Sequence, residues 1–193
     1  MTAPPEPLVA HAPVAHPSRW IERFAPLVRA GARVLDVACG HGRHTRLFAA
    51  RGCHVVAVDR DAAALAALAG EPRIETRALD LEAAGPVLGD ERFDAIVVVN
   101  YLHRPLFPEL LAVLAEDGVL LYETFARGNE AYGRPANPDF LLGPGELLQA
   151  IAGTLVPVAF EQGHVAALDR DAVVQRIVAV GRERPWPPSL PQG

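Results

Sequence analysis

The chain has 193 residues, half of them hydrophobic, with a formal net charge of −5 and an isoelectric point near 5.8. That length suits one domain burying about 70% of the surface its unfolded form exposes. The acidic balance speaks against a sequence-independent grip on nucleic acid, which needs clustered Lys and Arg. Two cysteines, Cys39 and Cys53, make no disulfide framework. No apolar run reaches the roughly 18 residues of a membrane span, so a soluble, cytoplasmic protein is expected, its oligomeric state open.

Residues 1–17 read as a proline-rich flexible tail. The tail lacks the basic start and apolar core of a signal peptide. Residues 18–183 are expected to form the domain, and residues 184–193 a second loose tail. A helix is predicted from Ser18, in N-cap position, to about Arg29, with Ile21, Phe24, Leu27 and Val28 at helical spacing. Pro26 kinks it or ends it early.

The next stretch, VLDVACGHGRHTRLFAARGCHVVAVDRD, organises the rest. It reads as a strand (33–38), a glycine loop (39–42), a helix (43–51) and a second strand (54–59), the front half of a βαβ nucleotide-binding unit. Gly40 and Gly42 permit a sharp turn and close backbone approach to a ligand. Asp59, ending the second strand, is placed to take both hydroxyls of a ribose. A dinucleotide fingerprint needs a third glycine, and Thr45 stands there instead. Asp36, Gly40 and Gly42 match D/E-x-x-x-G-x-G, the first motif of the class I S-adenosylmethionine-dependent methyltransferases, which the chain resembles. The run DVACGHGRHT followed by VVAVDRD is most similar to small bacterial methyltransferases of the tellurite-resistance type.

That resemblance implies a Rossmann-like α/β fold: a seven-stranded, mostly parallel sheet, helices on both faces, the last strand antiparallel. It implies S-adenosylmethionine as cofactor, held by Trp20, Asp36, Ala38, Gly40, Gly42, Asp59, Arg60, Asp80, Leu81 and Asn100. Trp20 either lies against the methionine end or anchors its helix in the core. Cys39 reads as a small residue fitting a tight loop.

Further elements follow: an alanine-rich helix (62–69), a third strand (73–79), a loop (85–91) and a fourth strand (93–99) whose unbroken apolar run suits a buried central parallel strand. Asp80 either faces the adenine amino group, with the Leu81 backbone assisting, or is a turn aspartate. The fourth strand's tip, Asn100-Tyr101-Leu102-His103-Arg104, falls where open α/β sheets gather reactive residues. His103 is either a general base or a surface histidine. A helix (106–115), a turn (116–118) and a fifth strand (118–124) lead to a long loop, residues 125–144. Loops this long are usually functional or disordered, and interleaved Phe125, Tyr132 and Phe140 oppose disorder. Here the loop is expected to close over the acceptor, with Tyr101, Arg104, Arg127, Tyr132 and Arg134 as substrate-binding residues, or else merely to connect strand and helix. A helix (145–152) and two strands (155–161, 173–180) complete the fold.

His41, His44, His54 and His103 lack zinc-site spacing, so no metal is expected. The expected function is methyl transfer by in-line displacement to a small, anionic or soft nucleophilic acceptor. The alternatives are an NAD-dependent oxidoreductase, a non-catalytic nucleotide binder, or a protein or RNA methyltransferase that works with a partner.

Overall fold

The structure is a computed structural model that describes residues 16–166 and 171–191. Seven strands run β1 (Arg33–Val37), β2 (His54–Asp59), β3 (Ile74–Ala78), β4 (Phe93–Val99), β5 (Leu114–Phe125), β6 (Leu155–Val165) and β7 (Ala172–Gly181). They form one sheet in the order β3-β2-β1-β4-β5-β7-β6. β1 to β5 pair in parallel, and β7 runs antiparallel to both of its neighbours. The helices are α1 (Arg19–Phe24), α2 (Arg43–Ala50), α3 (Ala62–Ala66), α4 (Phe107–Val113) and α5 (Glu146–Ile151).

Central strands are apolar on both sides because helices cover both sides. Trp20, Ile21 and Phe24 of α1 and Phe48 of α2 pack on Val34, Val97, Leu121 and Val178. Leu65 of α3 meets Ala57 on that same side. Leu110 of α4 and Leu147 of α5 cover Leu35, Ile96, Tyr122 and Ile177 on the other. Each fully buried side chain of this kind contributes about 1.5–3 kcal/mol.

Where the elements differ from expectation, the causes are local. Ser18 caps α1 by accepting from the Trp20 and Ile21 amides. Pro26 then stops the helix, and Ala25–Leu27 tighten into a 3-10 turn. Pro105 and Pro108 divide the expected 106–115 helix into a 3-10 turn (Arg104–Leu106) and α4. Leu114 is already extended and opens β5. The expected 116–118 turn lies inside that strand, where the register against β4 shifts between Phe93 and Ala95. β6 and β7 pair as far as Val165↔Ala172, past the end of β5 at Phe125↔Val174, so their hairpin overhangs the sheet's carboxyl edge. Residues 1–15 of the expected N-terminal tail lie outside the described residues. The other tail is fastened where it starts, by Arg184 donating to the carbonyls of Leu27 (2.5 Å) and Asp117 (3.1 Å). Among the described residues no helix is long and apolar enough to cross a membrane.

Candidate active site

The parallel topology brings the carboxyl ends of β1 to β5 to one edge, and the glycine loop turns over it. Ala38, Gly40 and Gly42 all take positive φ (+53°, +53° and +77°). The two glycines answer different needs. A Cβ on Gly40 would meet nothing within 4 Å, so its backbone faces open space. A Cβ on Gly42 would lie 2.4 Å from the tip of buried Leu68, so Gly42 lets the loop seat on the turn after α3. Asp59 ties loop to sheet: Oδ2 accepts the Gly40 N–H (2.8 Å) and Oδ1 that of Asp61 (2.9 Å). Each carboxylate oxygen keeps a lone pair for a further donor. Arg46 braces the loop from outside through the His41 carbonyl (2.7 Å).

Two residues assigned to the cofactor are placed elsewhere. Asp36 is 1% exposed. β1 turns it toward α2, where the Thr45 hydroxyl donates to it at 2.6 Å, so it supports the loop from beneath. Trp20 is 3% exposed and packs on Phe24, with ring centroids 4.6 Å apart, beneath the Arg176 guanidinium. It anchors α1 in the core.

Asp80 and Arg60 are exposed, whereas the Leu81 side chain is buried in the core. Asn100, at φ +58°, is exposed beyond β4, and its N–H donates to the Glu123 carbonyl (2.9 Å). Tyr101 packs against the core. Burial, then Glu82, Asp80 and Asp59, push its hydroxyl up to about 12, while Arg60 opposes them. That hydroxyl is buried and has no hydrogen-bond partner among the described residues. The hydroxyl thus lies within electrostatic reach of Glu82, Asp80, Arg60 and Asp59.

Arg104 is also reassigned. Its guanidinium forms two bonds to Glu146 (2.6 and 3.1 Å) and donates to the carbonyls of Asp139 and Leu141 (2.6 and 3.0 Å). These bonds fasten the end of the 125–144 loop, and they leave the guanidinium committed to the fold. Buried Asn129 fastens the loop's start, taking the Val173 N–H (3.2 Å) and donating to the Pro135 carbonyl (3.0 Å). An Ala126↔Leu142 bridge closes the loop's base. Exposure is concentrated in residues 130–140, where Tyr132 packs on His164 of β6 with centroids 4.8 Å apart. Arg127 and Arg134 are exposed, and His103 is half-buried just after β4.

Sequence reading missed Glu123. It lies near the carboxyl end of β5, where its carbonyl takes the Asn100 N–H and Ser18 Oγ donates to its side chain. Burial raises its carboxyl, and Ser18, Arg176 and Arg43 partly offset that rise. His44, pushed down to about 3 by burial and Arg43, is neutral and accepts the Ser18 N–H (3.0 Å). It is thus a strut between α1 and α2. Cys39 is buried with its thiol shifted well upward by burial, as a packing residue would be.

Residues 34–118 match the family model for a methyltransferase domain. That stretch, under half of the chain, is thus similar to a methyltransferase domain. A demethylmenaquinone methyltransferase of Clavibacter sepedonicus is 31% identical over 129 residues, covering 58% of this chain and 52% of that protein. The chain thus spans about half the length of the curated relative it matches. Two solved structures share the methyltransferase fold. TehB from Haemophilus influenzae has a TM-score of 0.70 at 17% identity, over 84% of this chain and 61% of that one. A 1,6-didemethyltoxoflavin-N1-methyltransferase from Burkholderia thailandensis, solved with bound 1,6-didemethyltoxoflavin and S-adenosylhomocysteine, has 0.60 at 23%, over 84% and 76%.

The glycine loop carries a pH signature. Burial raises Asp36 from 3.8 to about 7, against the Thr45 hydrogen bonds and Arg43. A folded-state pKa above the unfolded one means the folded state holds the extra proton. Asp36 therefore contributes stability that is complete below pH ~4 and lost as pH rises through ~7. Asp36→Asn is expected to cancel that loss. In urea titrations between about pH 5 and 8, wild type should lose stability relative to the variant by up to about 1.4 kcal/mol per pH unit. A pH-independent difference between the two would contradict the assignment.

Proposed function

We propose that the chain is an S-adenosylmethionine-dependent methyltransferase acting on a small acceptor. The observation that carries this reading is the open backbone of Gly40, pinned by the carboxylate that ends β2. The unpartnered Tyr101 hydroxyl beside Asp59 and Asp80 adds a polar group in want of a ligand, so the residues present fit a nucleoside. Asp59 would hold the ribose hydroxyls, Asp80 and the Leu81 backbone the adenine, and Ala38, Gly40 and Asn100 the amino-acid end. Arg60 would flank the adenosine. When bound, the cofactor supplies a sulfonium-activated methyl group, so the chain needs no covalent nucleophile of its own. Its residues orient, shield and place charge. His103 is the proposed base for acceptors that must shed a proton.

Arg104 is committed to Glu146 and so no longer supports an anionic acceptor. The proposed lid narrows to residues 130–140, because both legs of the loop are fastened. Arg134→Ala and Tyr132→Ala are expected to raise the acceptor KM or lower turnover while cofactor affinity stays within a few-fold. Wild-type kinetics in both variants would reduce the loop to a connector. Turnover is expected to survive EDTA, and loss restored by a single metal would contradict this.

The experiment is a thermal-shift and calorimetric titration with S-adenosylmethionine, followed by a methyl-transfer screen. The screen covers thiols, chalcogen oxyanions, amines and quinols.

A further inference from the structure

The tip that follows β4, residues 100–103, belongs to no helix or strand, so its shape depends on bonds to its surroundings. Asn100 takes φ +58°, a left-handed conformation uncommon for a residue other than glycine. Its N–H donates to the Glu123 carbonyl (2.9 Å), which fastens the start of the tip. The His103 carbonyl takes the Leu106 N–H (3.0 Å), which closes its end. Between these two bonds the constraint comes from the core. Tyr122 Oη donates to the Tyr101 carbonyl at 2.9 Å.

Tyr122 is 1% exposed, pairs in register with Ile177 of β7, and stacks on Phe107 of α4 with centroids 5.5 Å apart. Packing asks only for a phenyl ring there. The hydroxyl is a polar group in an apolar cluster, and burying it is costly unless it is bonded. Among the described residues its one hydrogen bond goes to Tyr101. Burial, then Tyr101 and Glu146, push the hydroxyl well up while Arg104 opposes them, so it stays a donor at working pH. Other buried polar side chains serve the same edge. Thr45 braces the glycine loop through Asp36, and Asn129 holds the start of the 125–144 loop. Gln175 holds that loop's end, donating to the Gly143 carbonyl (3.0 Å) and accepting the Leu147 N–H (2.6 Å).

We propose that Tyr122 is a positioning residue, fixing the β4 tip from within the core so that Asn100 meets the cofactor and His103 the acceptor. This rests on the methyltransferase reading. Tyr122 acts through the Tyr101 backbone and not by touching a ligand. Without its hydroxyl the Tyr101 carbonyl loses its donor, and the tip keeps both ends fastened but not its middle. The tip then divides its time among several shapes, of which the cofactor selects one. Apparent affinity falls by the fraction of time the competent shape is lost.

The test is Tyr122→Phe in the full chain, with S-adenosylhomocysteine as the calorimetric probe and Ile177→Val as the control. The control removes one buried methyl group opposite Tyr122 in the register and leaves the hydroxyl bond in place. Both variants are expected to lower the melting temperature by about 2–6 °C. Only Tyr122→Phe is expected to weaken S-adenosylhomocysteine, by about three- to tenfold, while Ile177→Val stays within about twofold. Hydrogen exchange in the unliganded protein gives a second readout. The Asn100 and Leu106 amides should exchange about tenfold faster in Tyr122→Phe and at wild-type rates in the control. With wild type binding the probe, equal affinities in the two variants, or unchanged exchange at the tip in Tyr122→Phe, would overturn the proposal alone. Failure of wild type to bind S-adenosylhomocysteine would overturn the methyltransferase reading and the proposal with it.

Discussion

Asp59→Ala is expected to lower affinity for S-adenosylmethionine at least about tenfold, because a paired carboxylate–hydroxyl contact is worth roughly 1.5–3 kcal/mol. The structure adds a second loss. Both oxygens of Asp59 already hold backbone amides, those of Gly40 and Asp61, so the variant also frees the loop from β2. Asp59→Asn separates these effects, since its single carbonyl oxygen keeps one amide bond while its NH₂ can accept none. Its affinity should fall between wild type and Asp59→Ala. Calorimetry with S-adenosylhomocysteine on folded proteins checks the series. Unchanged affinity in Asp59→Ala would remove this residue from the site.

Gly42→Ala is expected to have the largest effect on stability, about 2–5 kcal/mol. An L-residue at φ +77° costs about 1–2 kcal/mol, and forcing a methyl into a filled core costs about 1–3 more. The new Cβ would stand 2.4 Å from Leu68, which is fully buried among Cys39, Ala57 and Leu65 and has nowhere to go. For a chain of this length the melting temperature should drop by about 5–15 °C. Gly40→Ala gives the contrasting result. Its methyl meets no protein atom, so thermal unfolding should move less, while cofactor affinity falls because the methyl occupies the ligand's approach. Equal thermal losses in the two variants would contradict their division of labour.

The βαβ unit was legible because its signals are local. The apolar run of β1, the glycines at positions 40 and 42, and Asp59 lie within a few turns of one another, and each makes its contact nearby. Asp36 shows the limit of motif matching. Its position was right, but its orientation depends on Thr45 arriving from α2, and this buries it beneath the loop. Arg104 was illegible as an anchor because its partner Glu146 stands 42 residues away. Glu123 was passed over because its context is still more remote: Ser18, 105 residues earlier, and Arg176 on the antiparallel strand β7. Tyr101 follows the β4 tip, but only the packed structure shows its hydroxyl buried without a hydrogen-bond partner among the described residues. The boundaries that moved, at Phe24 and Leu114, did so next to prolines or a bulge, where a helical pattern in the sequence outlasts the helix.

The central claim is that the edge formed by Gly40, Asp59, Asp80 and Tyr101 is an S-adenosylmethionine site. It is tested most directly by thermal unfolding of the full chain with S-adenosylmethionine, S-adenosylhomocysteine or NAD, each at about a hundred times the dissociation constant expected for a cofactor. Linkage gives about 2.7 kcal/mol for a ligand at that excess, or about 5–10 °C here. The account predicts that shift with both sulfur nucleosides and none with NAD. A shift with NAD alone, or none with any of the three, would contradict it.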